Sequence, residues 1–230
     1  MTHMGRPNQA PYEALGQGDV LTHNELKFQL SLRAKFAKQL FGNNGDLWLA
    51  YSQTSWWQAF NRSHSSPFRE TNYEPEAWLS FLTNASSHGA KLREASTGIV
   101  HESNGQAGSL SRSWNRVYAN LEFVAGPWRL DAKPWLRIHE SPQTDNNPDI
   151  VNYLGHYELR GFYRTNGGQI FSVMLRNVTS RANSEFDWTF PIAGKIRGMV
   201  QYYYGYGESL IDYNYRINRI GIGLAVTDWL

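Results

Sequence analysis

From Leu26 to Phe36 apolar and polar residues alternate without exception. Leu26, Phe28, Leu30, Leu32, Ala34 and Phe36 fall on one face, and Lys27, Gln29, Ser31, Arg33 and Lys35 on the other. A period of two belongs to a β-strand between apolar and polar surroundings, whereas a helix would scatter those charges around its circumference. After a Gly-Asn-Asn-Gly turn at 42–45, Leu47, Leu49, Tyr51, Gln53 and Trp57 share one side of the segment 47–60. Further strand-like runs fall at about 73–84, 91–103, 111–124, 127–139, 150–164, 169–178, 184–193, 196–207 and 214–228, each bounded by Gly, Asn, Asp, Pro or Ser. In the last of them Ile220, Ile222, Leu224 and Val226 share a face ahead of Thr227-Asp228-Trp229-Leu230, which reads as a closing strand. No segment carries a clear helix signal.

Connections alternate between tight ones, such as Ala125-Gly126, and longer polar ones, such as Asn61 to Glu70 and Glu140 to Asp149. That asymmetry fits an all-β, transmembrane, antiparallel up-and-down barrel, with short turns at one rim and longer loops at the other. The expected organisation is an irregular segment over 1–24 followed by one barrel over 25–230. Eleven strands are counted where single-chain bacterial barrels have an even number, so either two strands are merged or a first strand lies at or before residue 1. Mean hydropathy is −0.54, and no apolar run reaches the length of a membrane helix, but barrel strands alternate and escape such a scan. The opening Met1-Thr-His-Met-Gly-Arg-Pro lacks the pattern of a secretory signal.

Thirteen Tyr and nine Trp suit aromatic girdles at the membrane interfaces, with Trp56, Trp57, Trp114, Tyr153, Tyr157, Tyr202, Tyr204 and Tyr206 as candidates. A sugar-binding sandwich or a soluble barrel would use aromatic strands as well. The net charge of +2 comes from interspersed signs, which argues against nucleic acid as a partner. Cysteine is absent, which excludes disulfides, Cys-ligated zinc and thiol catalysis.

Candidate chemistry sits where the outer face stops being apolar. His101 and Ser103, two residues apart, point the same way on their strand, and Ser111, Ser113 and Asn115 open the next strand before Val117, Ala119, Leu121 and Phe123. A hairpin through the Gly105–Gly108 turn would put His101, Ser103 and Asn115 on one face at the top of an apolar band. A serine hydroxyl is a weak nucleophile until a hydrogen-bonded base takes its proton, and the base needs a third group to fix its tautomer. The bland reading is an interfacial histidine, with Asn115 merely ending the apolar band.

Several stretches resemble the outer-membrane phospholipase A family of Gram-negative bacteria. They are 27–32 (Lys-Phe-Gln-Leu-Ser-Leu), 53–58 (Gln-Thr-Ser-Trp-Trp-Gln), 65–75, 101–105, 111–116, 133–135 (Lys-Pro-Trp), 147–150 (Asn-Pro-Asp-Ile) and 205–214. The resemblance implies a twelve-stranded barrel with a site on its outer wall, hydrolysing phospholipid acyl esters with calcium (Ca2+) when two barrels pair. It makes Ser103 the nucleophile, His101 the general base and Asn115 the group that orients the imidazole. The expected activities are phospholipase A1, phospholipase A2 and lysophospholipase. The metal ligands it implies are Ser111 and the main-chain carbonyl of Gln106, where relatives carry Arg, with Ser65 supplied by the opposing barrel. Asn146 stands where some relatives have an acidic ligand. Gln53, among apolar neighbours, would hydrogen-bond across the two-fold of a homodimer, with Leu30 and Leu32 packed around it. The implied location is the outer membrane, with a resting monomer and the site toward the outer leaflet. The rival class is a non-catalytic barrel in which inward Arg112, Arg116, Glu122, Arg129 and Lys133 select solutes, but an outward His101 and Ser103 serve no pore.

Overall fold

A computed structural model describes residues 1–14, 16 and 20–226. Among these residues thirteen strands form one antiparallel sheet: β1 (Thr2–Met4), β2 (Asn24–Ala37), β3 (Asp46–Trp57), β4 (Phe68–Leu82), β5 (Ser86–Ser87), β6 (Ala90–Ser103), β7 (Ser113–Ala125), β8 (Trp128–Arg137), β9 (Tyr157–Arg164), β10 (Ile170–Arg176), β11 (Asn183–Ala193), β12 (Ile196–Tyr206) and β13 (Arg216–Ala225). Each strand pairs with its sequence neighbour, except that β5 is a two-residue extra pairing only β6. The ring closes where β4 pairs β6 and where β1 sits between β13 and β2. The result is a closed twelve-stranded barrel with one short additional strand.

Two expectations change. The strand missing from the count is β1, inside the chain and only three residues long, too short to display a period. The strand expected over 150–164 begins instead with a single helical turn, α2 (Ile150–Leu154), and β9 starts at Tyr157. Ile150 and Leu154, four apart, point one way and are buried, while Asn177 and Asn183 donate to the carbonyls of Asn152 and Tyr153. The lead-in contains β1 and one further helical turn, α1 (Ala10–Glu13). The expected closing strand is observed to Ala225, and Thr227–Leu230 lie outside the described residues.

Alternation sets the two surfaces. Leu30, Leu32, Ile99, Leu136, Ile220, Ile222 and Leu224 project outward in a broad apolar band. The lumen holds Trp56, Trp114, Trp135, Tyr118 and Tyr203, so two of the expected girdle residues, Trp56 and Trp114, face inward instead. Gly98 makes room for them on β6, since a Cβ there would meet Trp78 and the Tyr118 hydroxyl at 2.6 and 2.8 Å. Arg116 with Glu102, Arg129 with Asp131 and Lys133 with Glu76 form ion pairs inside the wall.

Near the rim with the longer connections, charge is packed into the lumen. Glu25 accepts hydrogen bonds from Arg69 Nε and Gln58 Nε2, both at 2.6 Å, and from Arg219 Nη1 at 2.7 Å. Asp212 accepts from Arg69 Nη1 at 2.6 Å and Asn8 Nδ2 at 3.0 Å. In the connection after β12, burial raises the Glu208 carboxyl, but Arg219 and Lys27 outweigh it and hold the group down at about 2. Ions this deep persist only when paired, because an unpartnered one keeps its desolvation cost without compensation. Arg69→Met leaves Asp212 without an ion-pair partner among the described residues and Glu25 with Arg219 alone, and is expected to destabilise the folded barrel by about 3–5 kcal/mol. Urea titration in detergent, followed by tryptophan fluorescence, checks this.

Candidate active site

β6 ends and β7 begins at the long-loop rim, and their register decides which side chains meet. Val100 pairs Arg116, His101 pairs Asn115, Glu102 pairs Trp114 and Ser103 pairs Ser113. Ile99 and Val117 are exposed on the outer face, so the odd-numbered residues that follow share it. His101, Ser103 and Asn115 therefore stand together on the outer wall, where the apolar band gives way to polar side chains.

His101 Nδ1 lies 2.9 Å from Asn115 Oδ1. With the amide oxygen as acceptor, the imidazole carries its hydrogen on Nδ1 and leaves Nε2 free to take a proton. Asn115 Nδ2 in turn donates to Glu140 Oε1 at 3.2 Å. Among the described residues no hydrogen bond joins Ser103 to His101. The two sit on one face a strand repeat apart, about 7 Å between Cα atoms, and catalytic hydrogen bonds are often long before substrate arrives.

The inner face of the same two strands is rigid. Glu102 Oε2 accepts from Trp114 Nε1 at 3.0 Å and Arg116 Nη2 at 2.8 Å, and the Arg116 guanidinium lies 4.0 Å from the Trp114 ring centroid. Opposite His101 and Glu102 the β4–β6 ladder is interrupted between Tyr73↔Ser103 and Glu76↔Val100, where Pro75 supplies no N–H. The β7 partner thus carries the registration of His101.

Asn104 holds the loop that follows. Its Oδ1 accepts from the Arg112 and Gln106 amides, and its Nδ2 donates to Leu110 O at 2.8 Å and Glu70 Oε2 at 3.3 Å. Asn147 Oδ1 accepts from the Ser113 amide at 3.0 Å, tying the start of β7 to the connection before α2. In that region burial and the Asp149 carboxylate push the Tyr213 hydroxyl up.

Of the four expected metal ligands, the structure brings two into contact: Asn146 Nδ2 donates to Ser111 Oγ at 3.0 Å. Gln106 lies exposed in the same loop as Ser111, with its carbonyl accepting no hydrogen bond among the described residues. Ser65 belongs to the β3–β4 connection, exposed at φ +59°, and among the described residues makes no hydrogen bond to the other three. No three His, Cys, Asp or Glu side chains converge among the described residues. Hydroxyl, amide and main-chain oxygens are donors that calcium accepts, but one chain gathers fewer than the six to eight it takes. Gln53 is on the outer face opposite Leu30, gives a long 3.4 Å bond to Ser55 Oγ, and lines a cavity of about 400 Å³ with Glu70, Tyr73, Asn104 and Gln106.

Three residues escaped the sequence reading: Glu140, Asn104 and Asn147. Parity gave a signal for Glu140, because Leu136, Ile138 and Glu140 follow the alternation of β8, and Glu140 is polar where the outer face ends, as His101 and Ser103 are. No periodicity marks Asn104, which acts mainly within its own loop, or Asn147, whose partner opens β7.

Fold and outer surface define an outer-membrane β-barrel, and its long-loop rim carries a Ser, His and Asn group on the lipid side. A family model described as Phospholipase A1 matches residues 1–226. A phospholipase A1 of Klebsiella pneumoniae is 42% identical over 207 residues, covering 89% of this chain and 71% of that protein. One of Proteus vulgaris is 38% identical over 228 residues, covering 99% and 78%. The structure superposes on the Salmonella typhi outer membrane phospholipase, a dimer with bound calcium, with a TM-score of 0.93 at 38% identity, covering 99% of this chain and 88% of that one. The chain belongs to the phospholipase A1 family.

Asn104→Ala removes three hydrogen bonds within the loop and one long bond to Glu70 of β4. Limited proteolysis is expected to cut between residues 105 and 111 in that variant and not in the parent, while the remaining barrel stays heat-resistant on electrophoresis.

Proposed function

We propose that this outer-membrane phospholipase is a calcium-dependent serine hydrolase of glycerophospholipids, with phospholipase A1, A2 and lysophospholipase activities, using Ser103, His101 and Asn115 and switched on by homodimerisation. The observation that carries this reading is the 2.9 Å bond between His101 and Asn115 on the outer wall, two residues from an outward serine hydroxyl. Ser103 Oγ attacks the acyl carbonyl carbon as His101 Nε2 takes its proton. The imidazolium, held by Asn115 Oδ1, then gives that proton to the departing glycerol oxygen. Water, deprotonated by the same nitrogen, releases the fatty acid from Ser103. The Ser103 backbone N–H is assigned to the oxyanion. An amide in the third position avoids desolvating a carboxylate beside lipid.

Ser111 and the Gln106 carbonyl would hold calcium together with Ser65 of a second barrel, with Asn146 beside Ser111. The ion, when bound, supplies positive charge to the developing oxyanion. One barrel's incomplete set of oxygens supports a site finished by pairing. Leu30 and Leu32, 65% and 76% exposed around Gln53, provide the apolar surface for that pairing, with a monomer as the resting form. The site opens laterally toward the outer leaflet, since it lies at the rim with the longer connections.

Hydrolysis of phospholipid in detergent micelles, with calcium or a chelator, tests the reading. Ser103→Ala and His101→Ala are each expected to abolish turnover and leave the barrel folded, whereas Asn115→Ala retains a residue of activity. Near-normal turnover in either of the first two would sink the assignment, as would sulfonyl fluoride labelling at Ser109 or Ser113 in place of Ser103.

Gln53→Leu removes the amide hydrogen bonds available across a two-fold, each worth about 0.6 to 2 kcal/mol, and should weaken association by about threefold to thirtyfold per bond. Sedimentation equilibrium in detergent, with and without calcium, measures this. Unchanged association would remove Gln53 from the interface.

A further inference from the structure

We propose that Glu140 is a positioning residue for the catalytic group, fixing the orientation of the Asn115 amide and through it the tautomer of His101. The proposal rests on the Ser103, His101 and Asn115 assignment above and extends it by one residue.

An asparagine amide has two nearly isosteric ends. Turned one way it offers Oδ1 to His101 Nδ1–H, and Nε2 is left as the base. Turned the other way it offers an N–H, which makes Nδ1 the acceptor, moves the imidazole hydrogen to Nε2 and leaves nothing to take the Ser103 proton. An aspartate in that position would have no such ambiguity. With Asn115 the choice falls to whatever meets the far end of the amide, and here that is Glu140 Oε1, 3.2 Å from Asn115 Nδ2.

An ionised carboxylate accepts hydrogen bonds and donates none, so it pairs only with the NH2 end. Facing Glu140, the amide is held with Oδ1 toward His101, where the 2.9 Å bond is found. The charge also polarises the amide, which strengthens its oxygen as an acceptor for the imidazolium that forms as Ser103 attacks. The backbone fixes Glu140 there: the Ile138 amide donates to Asn115 O at 2.8 Å, continuing the β7–β8 ladder past Arg137. Glu140 then falls on the outward parity of Leu136 and Ile138, one strand repeat beyond the residue opposite Asn115. The arrangement puts the negative charge one step farther from the imidazole than a Ser-His-Asp triad does, on a half-buried loop residue that keeps access to water.

Steady-state hydrolysis of a dispersed monomeric phospholipid in detergent, with calcium, tests this with Glu140→Leu, Glu140→Gln, Asn115→Ala and the double variant Asn115→Ala/Glu140→Leu. Glu140→Leu is expected to lower kcat about tenfold with KM unchanged, because it misorients a group and leaves substrate binding alone. Glu140→Gln, which keeps a carbonyl acceptor, should recover to within about threefold of the parent. In the Asn115→Ala background Glu140→Leu should cost nothing further, since the amide through which it acts is gone. The proposal is overturned if Glu140→Leu leaves kcat unchanged, if its effect falls on KM, if Gln fares no better than Leu, or if the loss persists without Asn115. Failure of the triad itself reads differently, as an Asn115→Ala variant with the parent's kcat.

Discussion

A strand inside a bilayer has no water to satisfy its backbone, so each N–H and C=O must find a partner on a neighbouring strand, and a sheet meets that demand only by closing on itself. Everything else in this molecule follows from the closed ladder. Closure brings β4 against β6 and leaves a gap between β13 and β2 that β1 fills with three residues. It also gives every strand one lipid face and one luminal face. A site on the outer wall is therefore built from residues two apart on one strand and from those opposite them on the next. His101, Ser103 and Asn115 satisfy that geometry without any special loop.

Closure creates the second problem the chain solves, an interior of polar side chains with little water to share. Glu25, Glu208 and Asp212 are paired with Arg69, Arg219 and Lys27 in a buried cluster at the rim where the site lies. Directly behind the outer group, Glu102, Trp114 and Arg116 bind one another on the inner face of β6 and β7. Even-numbered residues fix the strands, and odd-numbered ones carry the proposed catalytic group. Where Pro75 opens the β4–β6 ladder beside His101, this inner cluster and the β7 pairing hold what the missing bonds do not.

How much of this the sequence discloses depends on how local the cause is. β2 was legible because its alternation runs over eleven positions with nothing to contradict it. β1 was not, since three residues display no period and its pairing is decided by strands at opposite ends of the chain. Residues 150–154 read as strand because Ile-Val-Asn-Tyr-Leu has strand-like composition, whereas its single helical turn depends on Asn177 and Asn183 capping its carbonyls from the β10–β11 side. Counting aromatics placed Trp56 and Trp114 at the membrane interface, yet Trp114 shares the parity of Arg112 and Arg116, which points it inward. Parity was the better guide. For the candidate site, the shared outer face of His101, Ser103 and Asn115 was legible because one hairpin carries them, and Glu140 follows the parity of β8, while the contacts of Asn147 with Ser113 and of Asn104 with Glu70 cross between segments that no local pattern brings together.

The choice of an amide at position 115 links these levels. On the outer wall a charge has lipid on one side, so a carboxylate in direct contact with the imidazole would carry a desolvation cost that an amide avoids. The amide removes that cost and introduces an ambiguity of orientation that a carboxylate never has. Resolving it requires an acceptor at its far end, and the nearest backbone able to present one is the extension of β8, which the ladder has already placed beside Asn115 through the Ile138 amide. There the wall ends and water begins, so the Glu140 carboxylate is only half-buried. In the proposed mechanism, the same boundary between apolar band and polar rim that would admit a lipid ester to Ser103 also supplies the carboxylate that orients the group behind His101.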